Sequence, residues 1–140
     1  MRAYILGGLV AVGFVLAAGS VRAHHSFAAE FDANKPIKLK GIVTKVEWTN
    51  PHVWFYVNVK DEKTGDVVNW GAEMGPPHGL QRRGWRRDSL KIGEEVTVEG
   101  SMAKNGSKRM NARTVTLTST GGRPGETLDA VSSGGANSSQ

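Results

Sequence analysis

The sequence predicts an all-β fold with one short helix, a small five-stranded OB-like Greek-key barrel. Three observations carry this. β-branched, alternating runs dominate the middle of the chain. The first run is long and holds a glycine, Gly41, where a strand can bend. One helix-length segment falls between the third and fourth runs, where an OB barrel carries its helix. An open β-sandwich fragment is the alternative, and an all-helical fold is excluded.

The runs follow in order. Ile37 to Trp48 is the long first strand, and Thr49-Asn50-Pro51-His52 is a turn signal. Val53 to Lys60 is the second strand. Val53, Phe55, Val57 and Val59 share one face, and Trp54, Tyr56 and Asn58 share the other. Asp61 to Asp66 forms a hairpin loop into a third strand, Val67 to Met74, which Gly75-Pro76-Pro77 stops. His78 to Arg87 supports only a short helix, because Gly84 interrupts it. Leu90 to Gly100 and Lys108 to Leu117 are the last two strands, joined by a loop over Ala103 to Ser107.

The flanks set the compartment. Arg2 followed by the apolar stretch Tyr4 to Ala18, with Val21 and Ala23 before a cut, is the pattern of a secretory signal peptide over residues 1–23. The apolar run is shorter than the roughly 20 residues a spanning helix needs, so no transmembrane segment is expected once the leader is cleaved. Residues 24–36 form a polar lead-in, residues 37–118 the barrel domain, and residues 119–140 a polar tail. The tail holds only Leu128 and Val131 as large apolar residues and is expected to be disordered. Removing Arg2 and Arg22 from the 18 basic residues leaves 16 against 13 acidic ones, net +3. The absence of cysteine excludes disulfides, thiolate metal sites and thiol nucleophiles. The expected location is periplasmic or secreted.

Certain motifs occur in a set order: His24-His25-Ser26-Phe27, Glu30-Phe31-Asp32, Trp48-Thr49-Asn50-Pro51-His52, Trp70 to Pro76, then Leu80 and Arg83-Gly84-Trp85. In these the chain resembles a family of short exported bacterial proteins known as a domain of unknown function. The resemblance covers nearly all of the chain after the leader except the tail. It implies export, a small β domain and no assigned activity. A looser similarity to periplasmic bacterial OB-fold proteins linked to stress tolerance rests on the barrel pattern and Leu90 to Val96. Neither supplies catalytic residues.

Two constellations are candidate sites. The four histidines, His24, His25, His52 and His78, all fall at a terminus or turn. Cleavage after Ala23 would give His24 a free α-amine beside its imidazole, a nitrogen set suited to Cu(II) and, less selectively, zinc or nickel. Glu73 and Met74 could join His78. Against this, none of the spacings has the specificity of a zinc finger, and turn histidines commonly only stabilise turns. The second constellation is Arg82, Arg83, Arg86 and Arg87 around Trp85, which could grip phosphate, a lipid headgroup or an acidic polysaccharide. Arginines on a short surface helix are more often solvated, or paired with acids such as Asp88, Glu94 or Glu95. Trp54, Tyr56 and Trp70 could offer stacking surfaces, while Trp48 and Trp85 could plug the barrel ends.

No serine lies in a nucleophile-elbow or His–acid pattern, and the glycines form no phosphate loop. Enzymatic activity is therefore not expected. The expected role is a small exported binding or accessory protein. Its partner is an envelope ligand or protein rather than nucleic acid, and copper is the cofactor its histidines would suit. The expected site is a rim of His52, His78 and the loop at Pro76.

Overall fold

The computed structural model describes residues 27–118 and 125–130. The leader, His24, His25 and the rest of the tail lie outside the described residues. Residues 27–30 are helical and lead into β1 (Phe31–Glu47). β2 (Trp54–Lys60), β3 (Val67–Glu73), a six-residue helix α1 (Pro77–Arg82), β4 (Glu95–Ala103), β5 (Arg109–Leu117) and a short β6 (Thr127–Asp129) follow.

The strand order is β3-β2-β1-β4-β5-β6, and β3 also pairs with β5. That last pairing is parallel, Gly71 to Arg109 through Glu73 to Asn111, while the others are antiparallel. It closes five strands into a ring around one core, with α1 between β3 and β4. This is the OB arrangement that the sequence predicts.

The period-two pattern fixes which side chains enter. Phe55 and Val57 of β2, Trp70 and Ala72 of β3, Val96 and Val98 of β4, and Met110, Ala112 and Val115 of β5 are all buried in the core. Trp54, Tyr56 and Asn58 face outward, as the alternation requires. Trp85 is 1% exposed and plugs one end, its indole Nε1 donating to the Asp129 carbonyl at 2.8 Å. Trp48 is half-buried and packs against the same core.

The structure departs from the sequence reading most at four points, each for a physical reason. β1 starts at Phe31 rather than Ile37, because Phe31 is buried and pairs with Ala103. The β1 bulge is at Thr44, between Val43 and Lys45, and not at Gly41. Gly41 instead lets backbones approach, since a Cβ there would stand 2.5 Å from the Asn58 carbonyl oxygen. β4 starts at Glu95, because residues 90–94 turn back to bond β1 through Gly93 N to Val43 O and Val43 N to Glu94 O. Lastly, the tail is not wholly without structure. Thr127–Asp129 pairs with Thr114–Thr116, Leu128 packs on the core and Ala130 is fully buried.

Candidate functional site

The outer face of β2, β3 and the start of β5 gathers most of the chemistry. Trp54 pairs across from Glu73, Tyr56 from Gly71, and Asn58 from Asn69. On the far side of β3, Arg109 pairs with Gly71 and Asn111 with Glu73. Gly71 is thus flanked by an aromatic strand and a cationic one. A Cβ at Gly71 would meet Tyr56 Cε1 at 3.3 Å and Trp54 Cζ3 at 3.6 Å, so the missing side chain leaves room for both rings. The Arg109 guanidinium carbon lies 4.5 Å from the centre of the Trp54 ring, within cation–π range.

A polar ladder continues along the face. Asn69 Nδ2 donates to Asn58 Oδ1 at 2.8 Å and to Thr44 Oγ1 at 3.1 Å. Tyr56 donates its hydroxyl to Glu47 Oε2 at 3.2 Å, and Lys45 pairs with the same carboxylate. Burial, reinforced by the Glu47 charge, raises the Tyr56 pKa and keeps the phenol a donor. The Lys45 hydrogen bond holds Glu47 below the usual carboxylate range.

Beside Trp54 is an unusual buried acid. Glu73 is 7% exposed, and its Oε1 lies 2.5 Å from His52 Nδ1. Burial pushes the Glu73 pKa up, and the nearby Glu30 charge adds to this. The His52 and Arg109 charges and the His52 hydrogen bond oppose it. The loop carrying His52 is set by Val53 N donating to the Gly75 carbonyl and Met74 N to the Val53 carbonyl. The Asn50–Pro51 peptide in this loop is cis.

At the β5 end the face opens into a hollow of about 200 Å³ lined by residues 29–31, 103–105, Ser107 and Arg109. Lys104 Nζ donates to the Ala28 carbonyl, and the Lys104 amide donates to the Glu30 carbonyl at 2.8 Å.

The model of the family of unknown function DUF6152 matches residues 12–112. The chain belongs to that family. No curated protein matches it. Among solved structures it is similar to a ZRD-deleted mutant of TiaS in complex with agmatine, at 22% identity and a TM-score of 0.45. That match covers 71% of this chain and 27% of the other, so the chain spans about a quarter of TiaS. It is also similar to the dimeric N-terminal domain of PriB from Thermoanaerobacter tencongensis, at 19% identity and a TM-score of 0.39. That match covers 62% of this chain and 99% of that one.

The residues singled out in the sequence are placed as follows. His52 engages Glu73, whereas His78 is exposed on α1. Met74 is fully buried in the core, turned away from any rim site. Among the described residues no group of three or more His, Asp or Glu side chains could hold a metal ion. Trp70 faces inward at 7% exposure and joins the core, so the outward stacking surfaces are Trp54 and Tyr56. Arg82, Arg83, Arg86 and Arg87 are all exposed. Arg83 pairs with Asp129 at 2.6 Å, an acid of the tail rather than Asp88, Glu94 or Glu95. Arg82, Arg86 and Arg87 make no ion pair among the described residues.

Sequence reasoning passed over Arg109, Gly71 and the Asn58–Asn69 pair. The one local signal was a glycine in the middle of a strand with aromatic outward neighbours. The Arg109 contact follows only from the ring closure. No described helix is long and apolar enough to cross a membrane.

Proposed function

We propose that this chain is an exported, non-enzymatic binding module of the cell envelope whose ligand face is the outside of β2, β3 and the start of β5. The observation that carries this reading is the stack of Arg109 on Trp54 across Gly71. It presents a flat cationic–aromatic surface beside a hydrogen-bonded amide pair. OB barrels use this strand 2–3 face for extended polar ligands. Export makes envelope saccharides and small envelope solutes the relevant ligands and removes nucleic acid from consideration.

The test is a nuclear magnetic resonance titration of the isotope-labelled protein with fractionated envelope saccharides. Shifts confined to Trp54, Tyr56, Asn58, Asn69, Gly71 and Arg109 are expected. Shifts confined to α1 and the residues after it would overturn the choice of face. Intact-mass measurement of protein purified natively from the envelope tests export, with a start at His24 expected.

The exposed Arg82, Arg86 and Arg87, unpaired among the described residues, support a second reading as an anion-binding surface for lipid headgroups or polysaccharide. Its affinity would fall steeply with salt, because exposed charges are screened. A copper site would have to be built on His24 and His25, because Glu73 takes His52.

A further inference from the structure

The hollow beside Arg109 is more specific than the face that leads into it. Arg109 is exposed, and no ion pair closes on its guanidinium among the described residues. The cation–π contact holds the guanidinium over the Trp54 ring, 4.5 Å from its centre. A pre-organised fork loses less freedom on binding than a free surface arginine. The hollow itself has room for about six or seven waters, at roughly 30 Å³ each, so it takes one small group or the end of a longer ligand.

Its walls narrow the choice of group. Ser107 lines the hollow, its Oγ being shut off from solvent and out of a ligand's reach. Asn105, its amide oxygen already accepting from Ser107 N at 3.0 Å, lies beside it. Glu30 lines the opposite part and contributes a negative charge that Glu73 also feels. A dianion such as phosphate would face that charge twice over, and Lys104, the other cation of the lining, has its ammonium taken by the Ala28 carbonyl. A planar monoanion suits the arginine fork better, and hydroxyls next to it could donate to Glu30.

We infer that the hollow between residues 29–31 and the β4–β5 loop binds a hydroxylated carboxylate, such as a uronate or another sugar acid. Arg109 holds the carboxylate, and Glu30 reads the neighbouring hydroxyls. This rests on the β2–β3–β5 face being the ligand surface and adds the class of group that anchors there. The carboxylate could come from a free sugar acid or from a uronate unit within an envelope polysaccharide.

Titration of the labelled protein with D-glucuronate, a glucuronate-containing oligosaccharide, D-glucose and acetate tests it. Glucuronate is expected to shift the Lys104, Asn105 and Ser107 amides and the Trp54 indole. Acetate should produce the same pattern more weakly, and glucose none at these positions. Tighter binding of the oligosaccharide, with shifts extending to Asn58 and Asn69, would mark a polysaccharide source. Equal or weaker binding would mark a free acid. Arg109→Lys keeps the charge and removes the fork, so glucuronate affinity should fall on the order of tenfold or more while the thermal midpoint stays put. Equal response to glucose and glucuronate, an unaltered affinity in Arg109→Lys, or no shift at residues 104–109 would each overturn the inference. Saccharide shifts at Trp54 and Asn58 that leave residues 104–109 unmoved would overturn it while upholding the wider face.

Discussion

Gly100 gives the sharpest test of how this barrel closes. It lies where β4 passes a bulge in β5. Glu99 pairs with Thr114 and Gly100 with Ala112, so Arg113 is the extra residue. The bulge serves two ends, because the Arg113 carbonyl accepts from Ala130 N at 2.8 Å and ties the β6 segment down. A Cβ at Gly100 would stand 1.9 Å from the Asn111 carbonyl oxygen and 2.9 Å from its carbon. Both are backbone atoms of the strand that closes the ring on β3, so no side chain can rotate away. Gly100→Ala must push β5 outward by more than an ångström or abandon the bulge. Overpacking that moves backbone costs about 3 kcal/mol, the upper part of the usual range. For a domain of this size each kcal/mol lowers the melting temperature by about 4–8 °C, so a drop of about 12–24 °C is expected. Thermal unfolding followed by circular dichroism measures it. Gly71→Ala is the control, since its nearest neighbour is the Tyr56 ring edge at 3.3 Å, which can give. A Gly100→Ala protein melting within about 4 °C of the parent, a change below about 1 kcal/mol, would refute the argument from close backbone approach.

Three further expectations follow, two from the structure and one from the sequence. Trp85→Ala removes the fully buried end plug and should cost about 3–5 kcal/mol in urea denaturation, a large share of a typical domain's 5–15 kcal/mol. Trp85→Phe should lose less, mainly through the Asp129 carbonyl left without its indole donor; a Trp85→Phe midpoint equal to the parent's would count against that hydrogen bond. Glu73, its pKa raised by burial, stabilises the fold most where it is protonated, and that contribution is lost as pH rises through its native value. Glu73→Gln should therefore gain on the parent from pH 4 to pH 7 in denaturation midpoints, and a parallel pair of pH curves would contradict the shift. Protein starting at His24 should bind Cu(II) more tightly than protein carrying one extra residue before it, as measured by competition with a chelator. Equal affinities would end the amine-chelation idea.

Much of the barrel was legible because its strands obey local rules. Alternation in Val53 to Lys60 separates Phe55 and Val57 from Trp54 and Tyr56, and Gly75-Pro76-Pro77 marks where β3 must stop. Other features depended on contacts distant in sequence. The parallel β3–β5 pairing joins backbones 38 residues apart (Gly71 with Arg109), and no side-chain pattern announces it. Without it Arg109 reads as one more surface cation. The β6 strand escaped notice because Leu128 and Ala130 are too few apolar residues to offset ordering entropy alone. The ready-made edge of β5, the Trp85 indole and Arg83 supply the rest. The histidines were visible as residue types, but composition does not reveal that His52 would be taken by a buried carboxylate while His78 stays on an exposed helix.

The two cationic surfaces differ in what binding would cost them. Arg83 is committed to Asp129, and Arg82, Arg86 and Arg87 project from a short helix and the turn after it. Each of these would give up much of its side-chain freedom to hold a ligand, and salt would screen what it gained. Arg109 already lies over the Trp54 ring and lines a walled hollow, so part of its ordering has been met by folding. Glu73 points the same way. A buried acid–histidine pair is commonly no more stabilising than an apolar pair of equal volume, so the fold alone gives weak reason for one here. Set across from Trp54 and within the field of Arg109 and Glu30, the pair adds no net charge to the face, whichever partner holds the shared proton. A face with Arg109 held over Trp54, Glu30 beside it and a neutral pair behind favours ligands with one negative charge and several hydroxyls over strongly charged polyanions.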